Sequence, residues 1–503
     1  MLVYKYHGGL RPLGVSDPYG VLLDILRTFW IAAISYNEIG TFKQHIRRCR
    51  WPDAALQRRS GGYNSSDDPA KVKHVMLVAD PQLLDFNSYP GRNPWLVWLS
   101  QLIVDLNMRK SWRASLALDP DAVVFLGDMM DNGRMDQSDD DYEKYFQRLQ
   151  RLFRTDHPVP TYYITGNHDV GIGASARFSQ QAVERFMFHF GPLNQLVEFG
   201  NHSFVLIDAP GLVAEEAMRM RSGRSYAQWV DVSPNGVIAF IRSLAAREST
   251  EPRVLFTHIP LARPEGAPCG PLRERGTIRQ GRGFGYQNTL APHTTEFLLQ
   301  HVRPSLVFSG DDHDYCEYTH TYGSSDADGS PDTGTVEEIT VKSFSIAMGI
   351  RQPGFQLLSE GTPPSQFTSS LATVPCLLPD QLGIYLNVYL PLFVLSVLLL
   401  LASNIHRVRT RGRYINWVAL PRWCQCLQVS LEFVLFGQRV TLRLSFSTRP
   451  ADGDDVELGD YRPSARRGSP RRLRGVLGGS VRDVMNVACI PLLLFVGLAW
   501  WIS

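Results

Sequence analysis

Two stretches of this 503-residue chain carry no charge at all, and they limit what it can fold into more than any other feature. Ile384–Ala402 reads IYLNVYLPLFVLSVLLLLA, and Val484–Ile502 reads VMNVACIPLLLFVGLAWWI. A helix of that length rises about 28 Å, close to the hydrocarbon thickness of a bilayer. In hydrocarbon the backbone must satisfy its own hydrogen bonds, so both runs read as transmembrane helices. Trp500 and Trp501 suit an interfacial anchor. A third run, Val21–Ile39, is interrupted by Asp24, Arg27 and Glu38. It reads equally as a weak anchor in an N-terminal segment, residues 1–50, or as an amphipathic helix. It starts late and lacks a small-residue cleavage site, which argues against a cleaved leader.

Arginine sets the expected orientation. Residues 403–483 hold 15 Arg, no Lys and 7 acidic residues, so 15 − 7 gives +8. Arg407, Arg409, Arg411 and Arg413 follow the first clear span, and Arg471, Arg472, Arg474 and Arg482 precede the second. The positive-inside rule places this loop in the cytosol and the chain before Ile384, at least back to the weak N-terminal segment, in the lumen. Lys43, Arg47, Arg48 and Arg50 run against that at the N-terminal segment, but long domains translocate largely regardless of charge. Thr448–Gly479, rich in Arg, Gly, Pro, Ser and Asp, reads as disordered.

Between the anchors, residues 71–360 read as a soluble α/β domain. His74–Asp80, Ala122–Asp128, Thr161–Asn167, Arg253–His258 and Leu306–Gly310 are short apolar runs expected as buried strands. Pro94–Leu118, Asp139–Thr155, Phe178–Phe190, Pro234–Arg247 and Thr294–His301 are expected as helices between them. Leu196–Asp208 and Thr335–Ala347 suggest hairpins of a mixed sheet. A net charge of +2 gives no reason to expect nucleic acid. Seven cysteines are too few for a disulfide scaffold, their odd number leaves a thiol free, and no CxxC suggests structural zinc.

Each expected strand ends in polar residues: Asp80-Pro81-Gln82; Gly127-Asp128-Met129-Met130-Asp131; Gly166-Asn167-His168-Asp169; Thr257-His258; and Gly310-Asp311-Asp312-His313-Asp314. Ligands of α/β sheets collect at the carboxyl ends of strands, so these loops can converge. Any one of them alone reads as a turn or a hydrogen-bonded core residue. Together they offer oxygen and imidazole donors without thiolates, a set for hard or borderline divalent metals.

In this order the motifs resemble the calcineurin-like metallophosphoesterases, marked by D-x-H, G-D-x-x-D, G-N-H-D, H and G-H-x-H. The resemblance covers Lys71 to Glu360 and implies an αββα sandwich of two mixed sheets with a two-metal site. Gln82 and Asp311 stand where that pattern has histidine. Those two replacements, with Cys269-Gly270-Pro271 and the membrane segments, resemble the fungal branch that remodels glycosylphosphatidylinositol (GPI) anchors. That branch removes ethanolamine phosphate from the anchor's mannoses in the endoplasmic reticulum. The implied partners are the membrane and a GPI glycolipid or GPI-anchored protein. By motif, Asp80, Gln82, Asp128 and His313 would hold metal 1. Asp128, Asn167, His258 and Asp311 would hold metal 2, with Asp128 bridging. His168 would protonate the leaving oxygen or stabilise the transition state. Asp131 and Asp169 would orient neighbours or cap their loops. Two divalent ions would activate water and clamp phosphoryl oxygens, so no side-chain nucleophile is needed. Oxygen-rich replacement of two imidazoles favours manganese or magnesium over zinc, with Mn²⁺ expected to serve best.

The loop Arg263–Leu290, with Arg263, Arg273, Arg275, Arg279, Arg282 and six glycines, reads either as a phosphate-binding rim or as a solvated loop. Asn64-Ser65-Ser66 and Asn201-His202-Ser203 are glycosylation sequons. Two other readings stay open: a lumenal phosphatase or nucleotide phosphodiesterase on the same scaffold, and a catalytically degenerate scaffold or cargo protein.

Overall fold

The computed structural model describes residues 18–59, 72–173, 178–247, 251–325, 331–361, 370–411, 429–435, 438–444 and 470–502. Eleven strands of the described residues build two sheets. They are β1 (Lys73–Val78), β2 (Ala122–Phe125), β3 (Thr161–Tyr163), β4 (Gln195–Phe199), β5 (His202–Leu206), β6 (Arg253–Phe256), β7 (Leu306–Ser309), β8 (Cys316–Ser325), β9 (Pro331–Thr340), β10 (Gly354–Glu360) and β11 (Leu371–Leu377). One sheet runs β11-β10-β1-β2-β3, the other β8-β9-β7-β6-β5-β4. β1, β2 and β3 are parallel neighbours, as are β5, β6 and β7, so all five site loops leave at carboxyl ends.

Side-chain alternation explains the layers. Successive strand residues point to opposite faces, and here both faces are covered, so nearly every position is apolar. Val75, Leu77, Val124, Phe204, Leu206, Phe256 and Phe308 form the core between the sheets. Their neighbours Met76, Val78, Val123 and Phe125 pack outward on Met108, Trp112, Tyr142 and Leu149 of helices Pro94–Ser115 and Asp139–Leu152. On the second sheet Val205, Leu255 and Val307 face outward against Ile238, Ile241, Leu298 and Leu299 of Val237–Ala245 and Pro292–Val302. The result is the αββα sandwich.

Several boundaries differ from the sequence reading. The first sheet continues past Glu360, because β11 pairs antiparallel with β10 from Leu371 to Leu377. Its apolar pattern there is broken by Thr373 and Pro375, which hid it. Leu196–Asp208 does form a hairpin, whereas Thr335–Ala347 supplies one strand, β9, whose hairpin partner is β8. Helix Ala209–Ser222 was not expected; its periodicity is masked by Pro210 and Gly211 at its start. Of the stretch expected as disordered, residues 470–479 are the first turns of helix Pro470–Ile502, and residues 448–469 lie outside the described residues. Proline at the first helical position lacks only an amide that no intrahelical carbonyl needs, and the apolar run behind it propagates the helix.

Among the described residues, three helices are long and apolar enough to cross a membrane: Tyr19–Leu56, Gln381–Arg409 and Val476–Leu498. The weak N-terminal run therefore meets the same standard of length and composition as the other two. Its basic residues Lys43, Arg47 and Arg48 lie on Thr41–Arg48, whose Phe42 and Ile46 are buried. By contacts the chain divides into two units, residues 31–390 with 493–503, and residues 1–30 with 391–492. Within the second unit Leu26, Leu400 and Val487 pack together, and Asn404 donates to Asp483 at 2.8 Å. In the first unit disulfides join Cys49 to Cys376 and Cys269 to Cys316; Cys489 is a free thiol.

Candidate metal centre

The loops after β1, β2, β3, β6 and β7 bring all seven expected ligands together. Backbone conformation marks the place. Of the seven non-glycine residues at positive φ among the described residues, five are Asp80 (47°), Gln82 (38°), Asp128 (54°), Asp311 (65°) and His313 (68°). Such conformations cost on the order of 1–3 kcal/mol each and persist where the surroundings impose them. Each turns the chain sharply at a strand exit. The flanking glycines have a separate reason. A Cβ on Gly127, itself at φ 91°, would lie 2.5 Å from His258 Nδ1, and one on Gly166 would collide with Asp128.

Two donor groups share Asp128. One atom from each of Asp80, Asp128 and His313 lies within 4.8 Å of the others, and the same holds for Asp128, His258 and Asp311. Gln82 joins the first group, its Nε2 donating to Asp128 Oδ2 at 2.8 Å and lying 3.1 Å from His313 Nε2. The donor end of the amide thus faces the carboxylate; Oε1 is the atom that would ligate a cation. Asn167 joins the second group, its Oδ1 3.0 Å from His258 Nε2. Asp80, Asp128 and His258 are fully buried.

The electrostatics test whether metals fit. Burial pushes the Asp80 carboxyl well above the usual carboxylate range, and the Asp128 and Asp311 charges add to that. Asp80 Oδ2 is buried without a hydrogen-bond partner, a costly state unless a cation meets it. Burial also opposes the charge on Asp128, but His258 and His168 outweigh it and hold that carboxyl low. His258 is driven the other way: burial disfavours its cation, and Asp128 and Asp311 still raise it well above the usual imidazole value. Burial lowers His313, leaving the neutral imidazole that ligation requires. His258 Nδ1 donates to the Leu126 carbonyl at 2.7 Å, which aims Nε2 at the donors. Three clustered carboxylates, an orphaned oxygen and no thiolate fit two divalent cations.

His168 stands beside this cluster. Its backbone N–H donates to Asp128 Oδ1 at 2.8 Å, and its Nδ1 donates to the Asp131 carbonyl at 2.5 Å. Asp131 Oδ1 is 3.4 Å from the same nitrogen, so Asp131 orients this ring. Asp169 has the capping role instead: it accepts from Met130 N at 3.1 Å and Gly166 N at 2.9 Å, tying two site loops together. Burial beside Asp128 raises its carboxyl to about 7.

The Arg263–Leu290 loop departs from the picture of a free basic rim. Arg263 is buried against Glu338 at 2.5 Å, and Arg273 is paired with Asp312 at 2.5 Å. The Cys269–Cys316 disulfide pins the loop to β8. Arg275, Arg279 and Arg282 remain exposed. Asp314 pairs with Lys342 at 3.0 Å. Two contributors escaped the sequence reading. Gly285 presents its carbonyl to Asn167 Nδ2 at 2.9 Å, and Arg134 Nη1 reaches the carbonyls of Asn167 and Gly285, each at 2.9 Å. Arg134 follows the GDMMD motif by a short step, but nothing local ties it to a loop 151 residues away.

Residues 75–315 match the family profile of the calcineurin-like phosphoesterases. This segment is a calcineurin-like phosphoesterase domain. The chain is 32% identical over 350 residues to Cell division control protein 1 of Saccharomyces cerevisiae, covering 68% of this chain and 64% of that protein, so it spans under two thirds of that relative's length. It is 27% identical over 327 residues to Metallophosphoesterase 1 of Mus musculus, covering 63% of this chain and 74% of that one. The crystal structure of a dimetal phosphatase from Danio rerio aligns over 61% of this chain and 99% of that chain, with 14% identity and a TM-score of 0.32.

Proposed function

We propose that the chain is a membrane-anchored two-metal phosphodiesterase that removes ethanolamine phosphate from the mannose core of GPI anchors in the endoplasmic reticulum, with its catalytic domain lumenal. The observation that carries the enzymatic part is the pair of donor groups sharing Asp128, with His168 alongside. Asp80, Gln82, Asp128 and His313 would hold one cation, and Asp128, Asn167, His258 and Asp311 the other. Bound there, the pair supplies Lewis acidity and activates water. The chain's own residues do the rest. His258, fixed through Leu126, holds its nitrogen toward the shared carboxylate. His168, held through Nδ1, keeps Nε2 available to pass a proton to the departing alkoxide. Asp311 and Gln82 put oxygen where the family pattern has imidazole nitrogen, which favours Mn²⁺.

The substrate and compartment rest on other supports. Gln82 and Asp311, in place of the two histidines of the family pattern, resemble the anchor-remodelling branch. Disulfides persist in oxidising compartments, and two lie in the catalytic unit, which supports a lumenal domain. Asn201 is exposed at the turn between β4 and β5, where a lumenal sequon is open to glycosylation; Asn64 lies outside the described residues. Purified full-length protein reconstituted with Mn²⁺ should release ethanolamine phosphate from the glycolipid and leave nucleotides largely intact. Faster nucleotide hydrolysis would transfer the reading to a nucleotide phosphodiesterase. Protein that binds no metal would transfer it to a scaffold.

A further inference from the structure

The two halves of helix Pro94–Ser115 keep different company. Its second half is buried. There Lys110 Nζ donates to Glu38 Oε2 at 2.5 Å and to Gln381 Oε1 at 3.2 Å, while the Tyr389 hydroxyl donates to Glu38 Oε1 at 2.8 Å. Glu38, Gln381 and Tyr389 belong to two of the helices long enough to cross a membrane. The first half instead turns Trp95, Trp98 and Leu102 outward, 55%, 46% and 39% exposed. At spacings of three and four they share one helix face. Phe86, 54% exposed, lies in the loop that links Gln82 to this helix. Residues 91–102 contain a single charge, Arg92. A water-facing surface has no use for two tryptophans and a leucine in one row, whereas a lipid headgroup layer does.

Strand direction says which way this surface faces. β10 is antiparallel to β1, and β11 is antiparallel to β10, so β11 runs with β1. Leu377 therefore lies at the same end of the sheet as Asp80. Helix Gln381–Arg409 begins just after it. The end of the sheet that carries the metal centre is the end from which the chain enters a spanning helix.

We propose that this end of the catalytic domain rests on the bilayer surface, with Phe86, Trp95, Trp98 and Leu102 seated among the headgroups, so that the metal centre takes phosphodiesters borne by membrane lipids. The occupant is the lipid surface, continuous with the spanning helices through the Lys110–Glu38–Gln381 contact. The lipid-borne substrate rests on the phosphodiesterase reading above; the seated surface does not.

The test places a benzophenone amino acid at position 98 of the full chain in phosphatidylcholine nanodiscs, with position 157 as control. His157 is exposed in the loop before β3, at the opposite end of the sheet. Irradiation should give a lipid adduct at 98 and none at 157. No lipid adduct at 98, equal adducts at both, or a protein–protein crosslink at 98 overturns the proposal. A second arm uses Trp95→Glu with Trp98→Glu. Turnover of soluble bis-para-nitrophenyl phosphate should match wild type, while turnover of the nanodisc-embedded glycolipid should fall about tenfold through lost interfacial seating. Equal glycolipid turnover would overturn it. If wild type hydrolyses neither phosphodiester, the phosphodiesterase reading fails, and the adduct at 98 still decides the surface.

Discussion

Asp128 is the residue on which most of the centre depends, since it belongs to both donor groups and accepts from Gln82 and from the His168 amide. Asp128→Ala should bind less metal and retain under about 1% of activity, because both cation positions lose a ligand. Phosphodiester turnover together with metal content measures this, and more than a few per cent residual activity would remove the bridging role. His168→Ala should behave differently. It keeps the metals and loses about a hundredfold in rate, the usual worth of a positioned acid. Metal loss in that variant would make His168 a ligand. The proposed Mn²⁺ preference rests on Asp311: Asp311→His replaces an anionic oxygen with neutral nitrogen, so activity of stripped and reconstituted protein should shift from Mn²⁺ toward Zn²⁺. An unchanged preference would show that Asp311 does not tune the centre. These positions were legible beforehand because ligand chemistry admits few residue types and the motifs are local. Arg134 and Gly285 were not, since their roles exist only where separate loops meet.

Among the elements, β9 depends on a buried charge, Glu338, close to its C-terminal end. This carboxylate accepts from Ser309 at 2.7 Å, Leu261 N at 3.0 Å, Arg263 at 2.5 Å and His320 at 2.7 Å. Burial alone would raise it, but Arg263 and His320 reverse that and hold it below its ordinary value. A depressed carboxylate stabilises the fold above its unfolded value and loses that contribution as pH falls through its folded one. Glu338→Gln leaves the Arg263 charge buried and unpaired, and should cost about 3–5 kcal/mol at neutral pH. Thermal unfolding of the full chain should also show a shallower fall in stability on acidification below about pH 4.5 than wild type, since the linked proton is gone. An equally steep fall in the variant would place the acid sensitivity elsewhere. Helix Pro470–Ile502 makes the complementary point about elements. Its first turns read as disordered from composition, and only continuity with the apolar run behind them makes them helical.

For the whole molecule, the arginine bias and the three apolar helices predict one topology. Protease added to sealed microsomes should cut between the last two spans, near Arg471, and spare the domain from Lys73 to Leu377. Protection of the former with loss of the latter would reverse the orientation. Two apolar helices of bilayer length, the α/β class and, through the motif resemblance, the seven donor residues that meet at one place followed from sequence, because hydropathy over a bilayer's length, strand periodicity and local motifs each act within short windows. Tertiary structure decided what depends on distant segments meeting. It added β11 to the sheet, turned Arg263 and Arg273 inward to Glu338 and Asp312, and divided the roles of Asp131 and Asp169. It also brought the candidate metal centre and the start of a helix long enough to cross a membrane to one end of a sheet. Strand direction and burial are properties of the packed whole, and no local window of residues contains them.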